Sequence, residues 1–157
     1  MTNEGFILLL HQSIQLSARD FLYRANEEGF DLQITQGLRT MAEQDALYSR
    51  GRTAPGAIVT YARGGSSWHN FGLAFDVMFR GVSWAEMNGR QWLPKWMRIG
   101  EIGEAVGLEW GGRWTKPVDL PHFQWRGGLN LAQARAGERP AHGPFEGPHE
   151  EFPLKDS

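Results

Sequence analysis

Two stretches decide how this chain is read: SSWHNFGLAFDV, residues 66–77, and DLPHFQW, residues 119–125. LAFDVMF, which continues the first, is an apolar run that reads as a largely buried strand, broken by a carboxylate at Asp76. An unpaired carboxylate among apolar neighbours is expensive, and a cation beside it removes the cost. His69 precedes this strand in a loop containing Gly72, a residue that lets backbone pass close to a site. His122 follows Pro121, which stiffens the local backbone, and sits between apolar residues. Two imidazoles and a carboxylate suffice to hold a zinc ion with one position open. Asp119, three residues before His122, adds a second carboxylate where a metal-bound water needs a proton acceptor.

The rest of the composition narrows the chemistry. The chain has 157 residues, enough for one domain with a real core, and is 41% hydrophobic with seven Trp and nine Phe. It contains no Cys, so disulfides and thiolate metal sites are excluded and any metal rests on His, Asp or Glu. Sixteen basic and 18 acidic residues are well mixed, for a net charge of −2, which argues against nucleic acid as a partner. The apolar run Phe6–Leu10 lies between Glu4 and His11 and is too short for a signal peptide or a membrane span. The expectation is a protein made in the cytoplasm without a signal peptide, acting as a monomer and not inserting into membranes.

Periodicity predicts a helix over residues 5–28, a strand over Leu32–Leu38, and a helix opened by the capping box of Thr40 and Glu43 and ending at Gly51. Residues 52–66 form a long loop rich in small residues, a length that is usually functional or mobile. Leu73–Phe79 is a strand, and Ser83 with Glu86 forms a second capping box. Trp96, Ile99, Ile102 and Val106 mark a helix closed by Gly107. Short strands follow at Leu108–Trp110 and Val118–Trp125, then a short helix within Leu129–Ala136. Residues 1–137 form the domain, and 138–157, with four prolines and no periodicity, an extended tail. The fold class is α+β, a small antiparallel sheet flanked by helices. Trp68, Trp110, Trp114, Phe123 and Trp125 read as core and cleft wall, and His11, His142 and His149 as surface or hydrogen-bonded residues.

Ser67-x-His69-x-x-Gly72-x-Ala74-x-Asp76, followed by Asp119-x-Pro121-His122, resembles the signature of the zinc D-Ala-D-Ala carboxypeptidase and L-alanyl-D-glutamate endopeptidase family. That family shares its fold with the hedgehog signalling domain. The likeness extends through residues 34–53 and 107–125, which are most similar to the phage endolysin branch, and covers residues 5–137.

The resemblance implies specific roles. His69, Asp76 and His122 become the zinc ligands, and Asp119 the acidic catalytic residue, which is Glu in many members and one methylene longer. Arg39 contacts substrate and polarises the scissile carbonyl. Ser67, Gln44 and Tyr48 contact substrate. The implied activity is hydrolysis of the peptidoglycan stem peptide between L-Ala and D-Glu by a phage or prophage endolysin, reaching the wall once the membrane is permeabilised. Two alternatives stay open: a D-Ala-D-Ala carboxypeptidase or dipeptidase, and an inactive zinc-fold domain that binds wall.

Overall fold

Alternation along LAFDVMF builds the strand at the heart of the sheet. Phe75, Val77 and Phe79 go to the core, and Asp76 to the opposite face. The computed structural model of the chain describes residues 1–144. Its helices and strands run α1 (Asn3–Leu9), α2 (Gln12–Glu27), β1 (Leu32–Gln36), α3 (Met41–Ser49), β2 (Ala74–Phe79), α4 (Trp84–Met87), α5 (Leu93–Ala105), β3 (Glu109–Trp110), β4 (His122–Gln124) and α6 (Leu131–Arg135). Single 3-10 turns lie at Trp68–Phe71, Arg90–Trp92 and Gly111–Arg113. The strands form one antiparallel sheet in the order β1-β2-β4-β3. This is the expected α+β arrangement.

One face of the sheet is the core. Phe21 of α2 lies 4.5 Å, centroid to centroid, from Phe123 of β4, and Phe75 stacks on Phe123 at 5.8 Å. Trp96, Ile99 and Ile102 of α5 join the same cluster. Full burial of a side chain of this size stabilises by about 1.5–3 kcal/mol. Gly103 of α5 lies against the Phe123 ring, where a Cβ would collide with it. A mid-helix glycine costs about 1 kcal/mol relative to alanine, and here that cost lets α5 close directly beneath β4.

The stretch 5–28 is two helices, not one. The backbone turns extended at Leu10 (φ −71°, ψ 158°), and His11 caps α2, its Nδ1 accepting from the Ser13 N–H at 3.2 Å. The His11 N–H donates to the Gly72 carbonyl at 2.9 Å. The break therefore fastens the N-terminal helices to the turn that carries His69. The last strand is also shorter than its pattern suggests. Asp119 donates its N–H to Gly111 O and its carbonyl accepts from the His122 N–H, so the chain turns at 119 and meets β2 only from Pro121, whose carbonyl accepts from the Val77 N–H at 3.1 Å.

The 52–66 loop is pinned. Gln44 Nε2 donates to Ala62 O at 2.8 Å, and Asp45 Oδ1 accepts from the Gly64 N–H at 2.7 Å. No helix among the described residues is long and apolar enough to cross a membrane.

Residues 138–144, the start of the expected tail, contain no helix or strand but lie against the domain. Pro140 is buried beside Gly127, Trp125 Nε1 donates to His142 O at 3.1 Å, and the Arg139 guanidinium stands 5.0 Å over the Phe71 ring. The remainder of that tail, 145–157, with His149, lies outside the described residues. A chain ending at Gly137 should melt about 2–5 °C below one ending at Pro144, the shift expected for roughly 1 kcal/mol in a domain of this size. Equal melting temperatures would mean that the 138–144 contacts contribute nothing.

Candidate metal centre

Antiparallel pairing sets Asp76 of β2 directly opposite His122 of β4. Facing residues project from the same side of a sheet, here the side away from Phe75 and Phe123. Asp76 Oδ1 is 3.1 Å from His122 Nδ1. His69 arrives from the 3-10 turn Trp68–Phe71, which Ser67 caps by accepting from the His69 N–H at 3.3 Å and Asn70 completes as a capping box. The His69 Nδ1 is 2.9 Å from Gly37 O, which directs Nε2 towards Asp76, 3.3 Å from Oδ1.

His69 and His122 are buried, and one donor atom from each of His69, Asp76 and His122 lies within 4.8 Å of the others. A sulfur-free set of two imidazoles and one carboxylate fits zinc with a free coordination position. The second nitrogen of each ring faces an oxygen acceptor, Gly37 O for His69 and Gln124 Oε1, at 2.7 Å, for His122. Metal-ligating imidazoles are usually held in this way.

The electrostatics are those of a cation site. Burial pushes the Asp76 carboxyl up, but the His69 charge and the hydrogen bonds from His122 and His69 outweigh it and hold the group well below the usual carboxylate range. Burial pulls His122 down, but its hydrogen bond and attraction to Asp76 win and raise it. Asp119 is raised, first by burial and then by the Asp76 charge, against the pull of His122, His69 and Arg39.

The WGGRW turn fixes where Asp119 stands. Its N–H donates to Gly111 O at 2.9 Å, and Trp110 Nε1 donates to the neighbouring Leu120 O at 2.8 Å. Gly111 is so close that a Cβ would collide with the Asp119 carbonyl oxygen and press on His122 Cβ. Trp114, partly exposed, stands 5.0 Å from the His122 ring as a wall of the site.

Arg39 is 9% exposed, and its N–H donates to His69 O at 3.0 Å. Its guanidinium donates to Gln44 Oε1 at 2.9 Å and Gln36 Oε1 at 3.1 Å, both neutral, and its Nε is buried without a partner. Burial lowers its pKa, while Asp76, Glu43 and Asp119 raise it. The result is a buried cation near the metal donors, with a hydrogen-bond donor still unpaired.

Gln44 and Tyr48, both expected at the substrate, are engaged by other side chains of the chain. Gln44 is fully buried, and its amide is used between Arg39 and the 52–66 loop, so it bridges rather than touching substrate. The Tyr48 ring is covered by the guanidinium of Arg52 at 3.8 Å and that of Arg63 at 5.0 Å. Ser67 sits at the site as the cap of the His69 turn. Gln36 and Gln124 went unnoticed in the sequence. Gln124 had a signal, since it lies two residues from His122 and so on the same strand face. Gln36 had none, because a register shift between Ile34 and Gln36 re-aims it.

Comparison with known proteins finds cell-wall peptidases. The profile of the D-alanyl-D-alanine carboxypeptidase family matches residues 60–125. The chain is 41% identical over 121 residues to the peptidoglycan L-alanyl-D-glutamate endopeptidase CwlK of Bacillus subtilis, covering 73% of this chain and 72% of CwlK. It is 28% identical over 122 residues to the L-alanyl-D-glutamate peptidase of Listeria phage A118, covering 74% of this chain but 38% of the phage protein. The crystal structure of the Serratia marcescens L-Ala D-Glu endopeptidase ChiX superposes with a TM-score of 0.58 at 23% identity, over 85% of this chain and 90% of that one.

Metal analysis should find one zinc per chain, and His69→Ala or His122→Ala should each weaken zinc binding more than about 100-fold. Binding displaces a proton from His122, so affinity should fall as pH drops through the raised pKa of that ring. Gly111→Ala should lower unfolding stability by about 1–3 kcal/mol in a denaturant titration, the cost of forcing an atom into a packed contact. Unchanged stability would mean that the turn yields freely.

Proposed function

This chain belongs to the zinc peptidase family of D-Ala-D-Ala carboxypeptidases and L-alanyl-D-glutamate endopeptidases, and on that premise we propose that it cleaves the peptidoglycan stem peptide between L-Ala and D-Glu. The observation that carries this reading is the open donor set of His69, Asp76 and His122 beside Asp119 and the incompletely bonded Arg39. Bound there, zinc supplies a Lewis acid and a water acidified towards a pKa of ~7.

The chain's own groups complete the reaction. Asp119 accepts the proton of the attacking water and returns it to the departing amine. Its raised pKa suits a group that must carry a proton both ways. Arg39 offers the charge of its guanidinium, coupled to Asp76 and Asp119, to the oxygen on which negative charge develops. Ser67, on the rim of the His69 turn, contacts the bound peptide.

The choice of bond rests on similarity to CwlK and the phage peptidase. An endopeptidase needs a cleft open on both sides of the metal; we assign one wall to the WGGRW turn, whose Trp114 stands beside His122, and the other to the 52–66 loop. The phage relative supports an endolysin, kept in the host cytoplasm until the membrane is opened. The description of the matching family favours a second reading, removal of a terminal D-Ala.

Mass spectrometry of digested peptidoglycan separates the two. The proposal expects peptides that begin with D-Glu and glycan that keeps L-Ala, whereas free D-Ala as the sole product would establish the carboxypeptidase. Asp119→Ala should keep the fold and one zinc while losing at least about 100-fold in turnover. Near-normal turnover in that variant would remove Asp119 from the mechanism.

A further inference from the structure

The metal-site face of the sheet does not end at His122. Alternation places Gln124 on the same face, and Glu109 of β3 pairs across to it. Gln124 is buried at 4% exposure, yet both ends of its amide are bonded. Its Oε1 is 2.7 Å from His122 Nε2, and its Nε2 donates to Glu109 Oε2 at 3.1 Å. Glu109 in turn accepts from Arg126 Nε at 2.9 Å, in an ion pair a third to a half exposed at the sheet edge. One chain of bonds thus runs Arg126, Glu109, Gln124, His122.

The direction of that chain follows from hydrogen-bonding capacity. A carboxylate paired to an arginine has acceptors and no proton to give. Gln124 must therefore turn its NH2 to Glu109, which leaves its carbonyl facing His122. Facing a carbonyl, His122 Nε2 must carry a hydrogen. The lone pair that remains for a metal is then on Nδ1, the atom 3.1 Å from Asp76 Oδ1. His69 is held in the opposite sense, with Nδ1 on the Gly37 carbonyl and Nε2 at the site. The two imidazoles present different nitrogens because different acceptors hold their backs.

We propose that Gln124 is a positioning residue for zinc, with Glu109 setting the polarity of its amide, so that the pair keeps His122 protonated at Nε2 and presents Nδ1 to the metal. This rests on the zinc-site reading above and adds two residues to it. Neither touches substrate.

Zinc affinity, measured by competition with a chromophoric chelator, tests this in the full chain without reference to turnover. Wild type should bind one zinc. Gln124→Leu, which removes the carbonyl while filling the space, should bind at least about tenfold more weakly, the usual effect of losing a group that holds a metal-ligating histidine. Its metal-free melting curve reports whether it folds. Glu109→Leu, at the exposed sheet edge, should weaken binding by a smaller factor, because Gln124 is then free to turn its amide. The double variant Gln124→Glu with Glu109→Gln rebuilds an acceptor towards His122 and a donor between the two side chains, and should return to within about threefold of wild type.

Wild-type affinity in a folded Gln124→Leu chain, or a double variant no tighter than Gln124→Leu, overturns the proposal while leaving the zinc site intact. If Gln124→Leu does not fold, wild-type affinity in Glu109→Leu overturns it. Failure of wild type itself to bind zinc would overturn the site reading and this inference with it.

Discussion

Everything at the centre depends on one cross-strand pair, Asp76 opposite His122. A carboxylate on the central strand of a small sheet is tolerable only if something positive meets it. The imidazoles of His69 and His122 stand 3.3 and 3.1 Å from Asp76 Oδ1, and a divalent cation between the three meets its charge more fully. The pair also fixes register. A slip of one residue in β4 would send His122 into the core and Phe123 out to the site, at the cost of the Phe21, Phe75 and Phe123 cluster. Core packing on one face of the sheet therefore enforces metal-site geometry on the other.

Around that pair, each candidate group is set by contacts from outside its own turn or strand. His69 is placed by the carbonyl of Gly37, and its turn is tied to the first two helices through the bond from the His11 N–H to Gly72 O. Asp119 is placed by the backbone of Gly111 and the indole of Trp110. Arg39 is held by Gln36 and Gln44 rather than by a carboxylate. Neutral acceptors keep its charge available, where an aspartate or glutamate would have cancelled it. The Arg39 charge is thus shared with the carboxylates of Asp76, Glu43 and Asp119 through space and is not consumed by an ion pair.

Much of this was legible in the sequence, for physical reasons. Asp76 stood out because a charge within LAFDVMF demands a partner. The caps at Thr40 and Ser83 were legible because their bonds close within three residues. The break at Leu10 and His11 was not, since the apolar period runs straight through it and the stabilising bond goes to Gly72, far along the chain. Gln44 was expected at the substrate from the family resemblance, which does not reveal that packing buries its amide between Arg39 and the 52–66 loop. The β4 boundary failed because apolar residues before His122 imitate a strand that the Asp119 turn forbids. Gln124 could have been found from strand alternation, but Glu109 required knowing that β3 pairs with β4.

The central claim is that one zinc ion is held by His69 Nε2, Asp76 Oδ1 and His122 Nδ1. Anomalous diffraction at the zinc edge from crystals grown with zinc tests it directly. The account predicts one strong peak within about 2.0–2.2 Å of those three atoms, with an open position on the side of Asp119. A peak elsewhere on the molecule, or coordination of His122 through Nε2, would contradict it.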